Sequence, residues 1–212
     1  MRLDEARRDL YRRLAKEQGY KSRAAFKLIE AHERYDFIRE GDRVVDLGAA
    51  PGGWLQVSAN LVGPVGIVVG IDIHDIHLKD KNVKTVVMDV NDPMVVEKIE
   101  TLIRGKADVV LSDLSPSVSG VWELDHIRQV DLTLRVLELC ESFLKKGGAG
   151  FFKLFEGERS AEARGEIKRR FATVRVVKPK ASRSVSSELY YYCEDFRRVH
   201  ADASFTAATT SR

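Results

Sequence analysis

The 212-residue sequence predicts an α/β fold: a mostly parallel seven-stranded sheet with helices on both faces. Three observations carry that expectation. Apolar, β-rich runs alternate with stretches of helical periodicity, the pattern of βαβ units. The first apolar run breaks into a glycine-rich turn at Gly48, Gly52 and Gly53, with an apolar helical segment behind it. Acidic residues recur where runs end, at Asp46, Asp72, Asp89 and Asp113, and in open parallel sheets ligands sit at the carboxyl ends of the strands near the switch point.

In chain order, the first 23 residues read as a basic helical segment. A helix over 22–32 follows, with Ser22 as its N-cap and Ala25, Leu28 and Ile29 on one face. A strand over 43–47 runs into the glycine turn and a helix over 54–61. Strands over 67–71 and 83–88 deliver Asp72 and Asp89, and a helix over 95–104 leads to a strand over 109–111 that opens into Ser112-Asp113-Leu114-Ser115-Pro116. A helix over 127–145 is expected to stop at Gly147-Gly148. Strands over 149–154, 174–177 and 189–193 complete the sheet, with a helix over 161–171 between the first two. With 44% hydrophobic residues the chain can bury one substantial core. A single domain over 1–200 is expected, with a small, polar, disordered tail over 201–212.

No apolar run reaches the roughly 20 residues of a membrane span, and the charged start Met1-Arg2-Leu3-Asp4-Glu5 lacks the apolar stretch of a signal peptide. A cytoplasmic monomer is the expectation. Cys140 and Cys193 have neither CxxC spacing nor a nearby histidine, so buried reduced thiols are expected rather than a disulfide or a metal site. His74 and His77 lack a cysteine or third histidine nearby and read as loop surface, and no metal is expected.

The net charge of +3 says little, but the charge is segregated. Between Arg164 and Arg183 stand eight basic residues against one acid, Glu166, and the first 23 residues carry eight against four. Either stretch alone fits a solvated helix face; two of them flanking a cofactor site favour a polyanion.

The string Val44-Val45-Asp46-Leu47-Gly48-Ala49-Ala50-Pro51-Gly52-Gly53-Trp54 is a buried strand opening into a turn whose glycines permit close backbone approach. Backbone N–H groups at a helix start can cradle an anion. It lacks the Gly-x-Gly-x-x-Gly of a dinucleotide site and the Lys-Ser/Thr of a P-loop. Its Asp-x-Gly-x-x-Pro-Gly spacing resembles the S-adenosylmethionine loop of Rossmann-like methyltransferases. Asp72 suits two ribose hydroxyls and Asp89 the exocyclic amine of an adenine, which favours S-adenosylmethionine over NAD.

Lys153 interrupts the apolar run Phe151-Phe152-Lys153-Leu154-Phe155, and lysine is almost never fully buried unless paired. Lys27 lies between Phe26 and Leu28, and Glu188 enters the last strand; read alone, both are surface residues, whereas with Asp113 and Lys153 they make a tetrad. The strings Gly19-Tyr20-Lys21-Ser22-Arg23-Ala24-Ala25-Phe26-Lys27-Leu28, Asp46 to Trp54, Ser112-Asp113-Leu114-Ser115-Pro116, Phe152-Lys153-Leu154-Phe155, Lys178-Pro179-Lys180-Ala181-Ser182-Arg183 and Ser186-Ser187-Glu188 together closely resemble the FtsJ-like family of RNA ribose 2′-O-methyltransferases. The resemblance runs from about Arg12 to Cys193 and is weakest over 75–81. It implies that Lys27, Asp113, Lys153 and Glu188 are catalytic. It also implies that Gly52, Trp54, Asp72, Asp89 and Asp113 bind S-adenosylmethionine; Gly48, Pro51 and Gly53 of the same glycine turn are expected to join them, and the cationic stretches make Arg23, Lys178, Lys180 and Arg183 the expected RNA contacts. The substrate it implies is a uridine ribose in large-subunit (23S-type) ribosomal RNA, with the transfer-RNA anticodon loop as the alternative.

Such chemistry requires a ribose hydroxyl to attack a sulfonium methyl and lose its proton. A lysine accepts that proton only as the neutral amine, a form favoured by an apolar strand and by a neighbouring ammonium such as Lys27; the alternative is that Lys153 stays charged and orients the hydroxyl. A small-molecule O-methyltransferase would share the glycine turn but would need an apolar lid instead of cationic flanks. A non-catalytic RNA-binding assembly factor would share the cationic flanks without needing the tetrad.

Overall fold

The computed structural model describes residues 3–182 and 187–199, with 3–8 described for their backbone alone. Its strands are β1 (Arg43–Leu47), β2 (Ile67–Asp72), β3 (Val83–Val87), β4 (Ala107–Ser112), β5 (Leu144–Phe155), β6 (Phe171–Val177) and β7 (Glu188–Phe196). Its helices are α1 (Leu3–Glu17), α2 (Ala25–Tyr35), α3 (Gly53–Val62), α4 (Val95–Ile103), α5 (Trp122–Phe143) and α6 (Ser160–Arg170). The seven strands form one sheet in the order β3-β2-β1-β4-β5-β7-β6. β3, β2, β1, β4 and β5 pair in parallel, and only β7 runs antiparallel to its neighbours β5 and β6.

Strands covered on both faces read as near-continuous apolar runs, which is why Val44-Val45, Val68-Val69 and Val109-Val110-Leu111 are all buried. The two cores follow from that double coverage. On one face Val95 and Ile99 of α4, Leu137 and Phe143 of α5 and Ile167 of α6 pack on the sheet. On the other, Ala25 and Leu28 of α2 join Trp54, Leu55 and Val57 of α3. Because β1 has β2 on one side and β4 on the other, the chain's direction of travel reverses there, and a crevice opens at the carboxyl ends of these strands.

Two expected helix boundaries move. Ser22 does not cap α2: the helix starts at Ala25, the cap residue is Ala24, and no side chain caps it. Ser22 instead closes the preceding turn with its carbonyl, which accepts from the Ala25 amide. The helix expected over 127–145 begins earlier, at Trp122, and ends at Phe143 in an extended Leu144. Gly147 and Gly148 therefore stop no helix; they lie inside β5, where the register slips between the pairs Ala107 with Leu144 and Val109 with Ala149. Gly147, at φ +78°, gives the strand the irregular turn this slip needs. The tail over 201–212 lies outside the described residues.

Candidate active site

The glycine turn is shaped by contact with the end of β4. Gly48 sits at φ +83°, and a Cβ there would fall 2.9 Å from both the Leu114 side chain and the Leu114 backbone nitrogen. Only glycine lets the β1 turn lie this close to the segment that carries Asp113. Beyond it, Gly52 at φ +107° forms the N-cap of α3. A cleft of about 630 Å³ opens here, lined by Gly48, Pro51, Asp72 and Asp89 and also by Lys27, Asp113, Lys153 and Glu188.

Of the four strand-end carboxylates, three line this cleft. Asp72 holds the loops around it: Oδ2 accepts from the Ala50 amide and Oδ1 from the His74 amide, each over 2.9 Å. Asp89 Oδ1 accepts from the Asn91 amide at 2.8 Å and from Asn91 Nδ2 at 3.0 Å. Asp46 is the exception. It is fully buried, does not line the cleft, and among the described residues neither oxygen finds a hydrogen-bond partner. Burial, then the carboxylates of Asp113 and Asp72, push its carboxyl well above the usual carboxylate range, favouring the neutral acid.

The tetrad residues come from four elements and meet. Lys153 on β5 is 5% exposed. Its Nζ donates to the Asp113 carbonyl at 2.7 Å and to Ser115 Oγ, and lies 3.1 Å from Asp113 Oδ1. Those three acceptors match the three N–H donors of an ammonium. Lys27 on α2 is 6% exposed and pairs with Glu188 Oε1 at 2.8 Å, with Asp113 Oδ2 3.9 Å away. Burial works to raise the Asp113 carboxyl, but Lys153, then Lys27, then the Tyr190 hydroxyl outweigh it and hold the group below the usual carboxylate range. Lys27 and Glu188, which alone read as surface residues, instead pair with each other, the lysine buried and the glutamate partly so, where α2 meets the start of β7.

Other expected site residues lie behind the cleft. Trp54, on the first turn of α3, is buried, packs against the rings of Phe151 and Tyr190, and donates from Nε1 to the Ala24 carbonyl at 2.7 Å. Gly53 touches the segment before α2: a Cβ there would fall 2.5 Å from Ser22 Oγ. Gly52, Gly53 and Trp54 thus shape the turn without lining the cleft. Arg23 lines it and donates to the Ala181 carbonyl at 2.8 Å, and Lys178 and Lys180 follow the cleft-side end of β6, while Arg183 lies outside the described residues. Of the rest of the second basic stretch, Arg175 lies within β6 and the others on α6, where Arg164 pairs with Glu156, and Arg169 and Arg170 with Glu166.

Sequence reasoning missed Tyr190, Ser115 and Ser182. Tyr190 accepts from Lys27 Nζ at 2.7 Å and donates to Asp113 Oδ1 at 2.6 Å, joining the two halves of the tetrad. Ser182 Oγ donates to Glu188 at 2.8 Å. The signal for Tyr190 was available: two positions after Glu188 on one strand, it must share that residue's face.

This sheet order, with a glycine turn after β1 and acidic residues closing β2 and following β4, is the Rossmann-like fold of S-adenosylmethionine-dependent methyltransferases. A structure described as an S-adenosylmethionine-dependent O-methyltransferase from Thermotoga maritima shares the fold at TM-score 0.55 and 16% identity, over 80% of this chain and 64% of that one. The chain belongs to the FtsJ-like methyltransferase family, whose model matches residues 20–196. The ribosomal RNA large subunit methyltransferase E of Nitrosopumilus maritimus is 43% identical over 92% of this chain and 99% of its own length. A crystal structure described as a ribosomal RNA methyltransferase from Plasmodium falciparum is 27% identical at TM-score 0.73, covering 84% of this chain and 98% of that one.

Proposed function

We propose that the enzyme methylates the 2′-hydroxyl of a uridine ribose in large-subunit ribosomal RNA. The observation that carries this reading is the Lys153 amine, held by Asp113 on the wall of the same cleft that the glycine turn opens. The names of relatives that align along most of the chain support the RNA class.

The cleft residues fit S-adenosylmethionine. The volume falls within the roughly 300–1,000 Å³ of small-molecule sites. Asp72, Asp89 and Gly48 line the cleft, and the two carboxylates are acceptors of the kind that the hydroxyls and exocyclic amine of a nucleoside would donate to. The bound cofactor supplies an electrophilic methyl. On the protein side, the Asp113 anion and Ser115 aim Lys153 Nζ; as the neutral amine, with one of its three N–H donors given up and a lone pair in its place, that nitrogen takes the substrate's 2′-hydroxyl proton and becomes the ammonium. Lys27, fixed by Glu188 and Tyr190, holds Asp113 from its other side.

The direct test supplies methyl-labelled S-adenosylmethionine with large-subunit ribosomal RNA transcribed in vitro, followed by mapping of 2′-O-methyl sites. Label at one uridine ribose supports the reading. Label on transfer-RNA anticodon loops in preference, or on bases, overturns it.

A further inference from the structure

Five of the eleven exposed large apolar side chains among the described residues fall within ten positions: Val118, Val121, Trp122, Leu124 and Ile127. They sit on the loop leaving β4 and the first turns of α5, directly after Ser115, the residue that accepts from Lys153. Apolar side chains scattered singly on a surface need no explanation, but one of these five, Trp122, connects to the reactive centre through one aromatic step. Lys153 Nζ lies 6.0 Å from the Phe155 ring centroid, and that centroid lies 5.9 Å from the Trp122 ring at an interplanar angle of 19°. The amine and the indole are therefore at most about 12 Å apart. His126 also lies 6.0 Å from Trp122 at 19°. Trp122 is thus braced by two near-parallel rings, one of them the buried His126, yet remains 47% exposed.

We infer that Trp122 is a stacking platform for an unstacked base of the RNA substrate, either that of the nucleotide whose ribose reaches Lys153 or that of its immediate neighbour. This rests on the ribose-methylation reading above. Its physical basis is that single-stranded RNA is recognised by splaying bases onto aromatic side chains, and that every base offers a π-face, so the contact works whatever the sequence. A flat ring held in place by Phe155 and His126 loses little conformational freedom when a base lands on it. Val118 and Val121, exposed at 83% and 53%, add apolar surface to the segment that leads into α5. The site supplies the stacking that the cationic segments, which contact phosphate, do not.

The test compares the parent with Trp122→Ala and Trp122→Phe, using in vitro transcribed large-subunit ribosomal RNA and calorimetry with S-adenosylmethionine. One stacked base contributes about 1–3 kcal/mol, so Trp122→Ala should raise KM for RNA by about fivefold or more. Cofactor affinity should stay within about twofold, and Trp122→Phe should recover most of the loss. Equal impairment of both variants together with lost cofactor binding would assign Trp122 a structural role and overturn the platform. So would parent-like kinetics in Trp122→Ala on naked RNA with a defect only on assembled subunits, which would assign the face to a protein contact. A parent that methylates no ribose overturns the functional reading and the platform with it; a parent that does, beside an unimpaired Trp122→Ala, removes the platform alone.

Discussion

Tyr190 donates a hydrogen bond to Asp113 over 2.6 Å while accepting one from Lys27 over 2.7 Å. A single buried hydroxyl thereby ties the β4 carboxylate to the α2 ammonium. Burial, then the nearby carboxylates of Asp113 and Glu188, push the phenol well above its ordinary pKa, so it stays a donor. Tyr190→Phe keeps the ring and deletes this link. Leaving Lys27 and Asp113 each one partner short should cost about 1–3 kcal/mol of stability, read as a lower urea midpoint, and should slow methyl transfer by more than it weakens cofactor binding.

Gly48 and Gly41 separate two costs of adding a methyl group. Both have positive φ, +83° and +85°, but a Cβ at Gly41 would meet only Val65 Cγ2 at 3.8 Å, whereas one at Gly48 would strike Leu114. Gly41→Ala should lose about 1–2 kcal/mol from backbone strain. Gly48→Ala should lose about 1–3 kcal/mol more from overpacking, and cofactor affinity with it, since Leu114 lines the cleft. Denaturation curves and calorimetry on the two variants check the difference.

The carboxyls closing β1 and following β4 respond to pH with opposite sign. Asp113 is held low, so its stabilising contribution is present above the unfolded value of about 3.9 and is lost as pH falls through the folded value. Asp46 is held high, so the folded state keeps a proton that the unfolded chain sheds. Its cost to stability therefore grows as pH rises from about 3.9 toward its folded value. Asp46→Asn removes that pH-dependent cost. Its urea midpoint relative to the parent should improve between pH 4 and pH 7, and a decline over the same interval would contradict the assignment.

Most of the sheet was legible because strands buried on both faces cannot help being apolar, and the site followed from which residues close them. What escaped were features set by tertiary contact. Gly147-Gly148 looks like a helix stop in sequence, yet serves an irregular β5 because Leu144 already pairs with Ala107. Asp46 looks like the other strand-end acids, but its position one residue before the end of β1 turns it into the core. The basic stretch from Arg164 to Arg183 reads as one patch, whereas α6 spends Arg169 and Arg170 on Glu166, an i,i+3 and i,i+4 arrangement visible only once the helix is known.

That division makes a testable distinction among cations. Lys178 and Lys180 follow β6 at the cleft edge of the sheet, so reversing both to Glu should weaken RNA binding. The salt slope of log K should flatten by about 0.7–0.9 for each phosphate that is no longer neutralised. Arg169→Glu should leave binding and slope unchanged, because that guanidinium is paired with Glu166 on a helix of the opposite core.

The most direct measurement of the central claim is single-turnover methyl transfer by Lys153→Ala and Lys153→Arg beside calorimetric affinity for S-adenosylmethionine. A positioned acid–base group contributes typically about 10²–10⁴-fold, so both variants should lose at least about a hundredfold in rate while binding the cofactor within about twofold of the parent. The arginine variant should fail because guanidinium stays protonated and cannot accept the hydroxyl proton. Asp89→Ala should show the converse, weaker cofactor binding by about 1–3 kcal/mol. Parent-like transfer by Lys153→Arg would contradict proton acceptance at Lys153, and parent-like transfer by Lys153→Ala would remove the residue from the reaction.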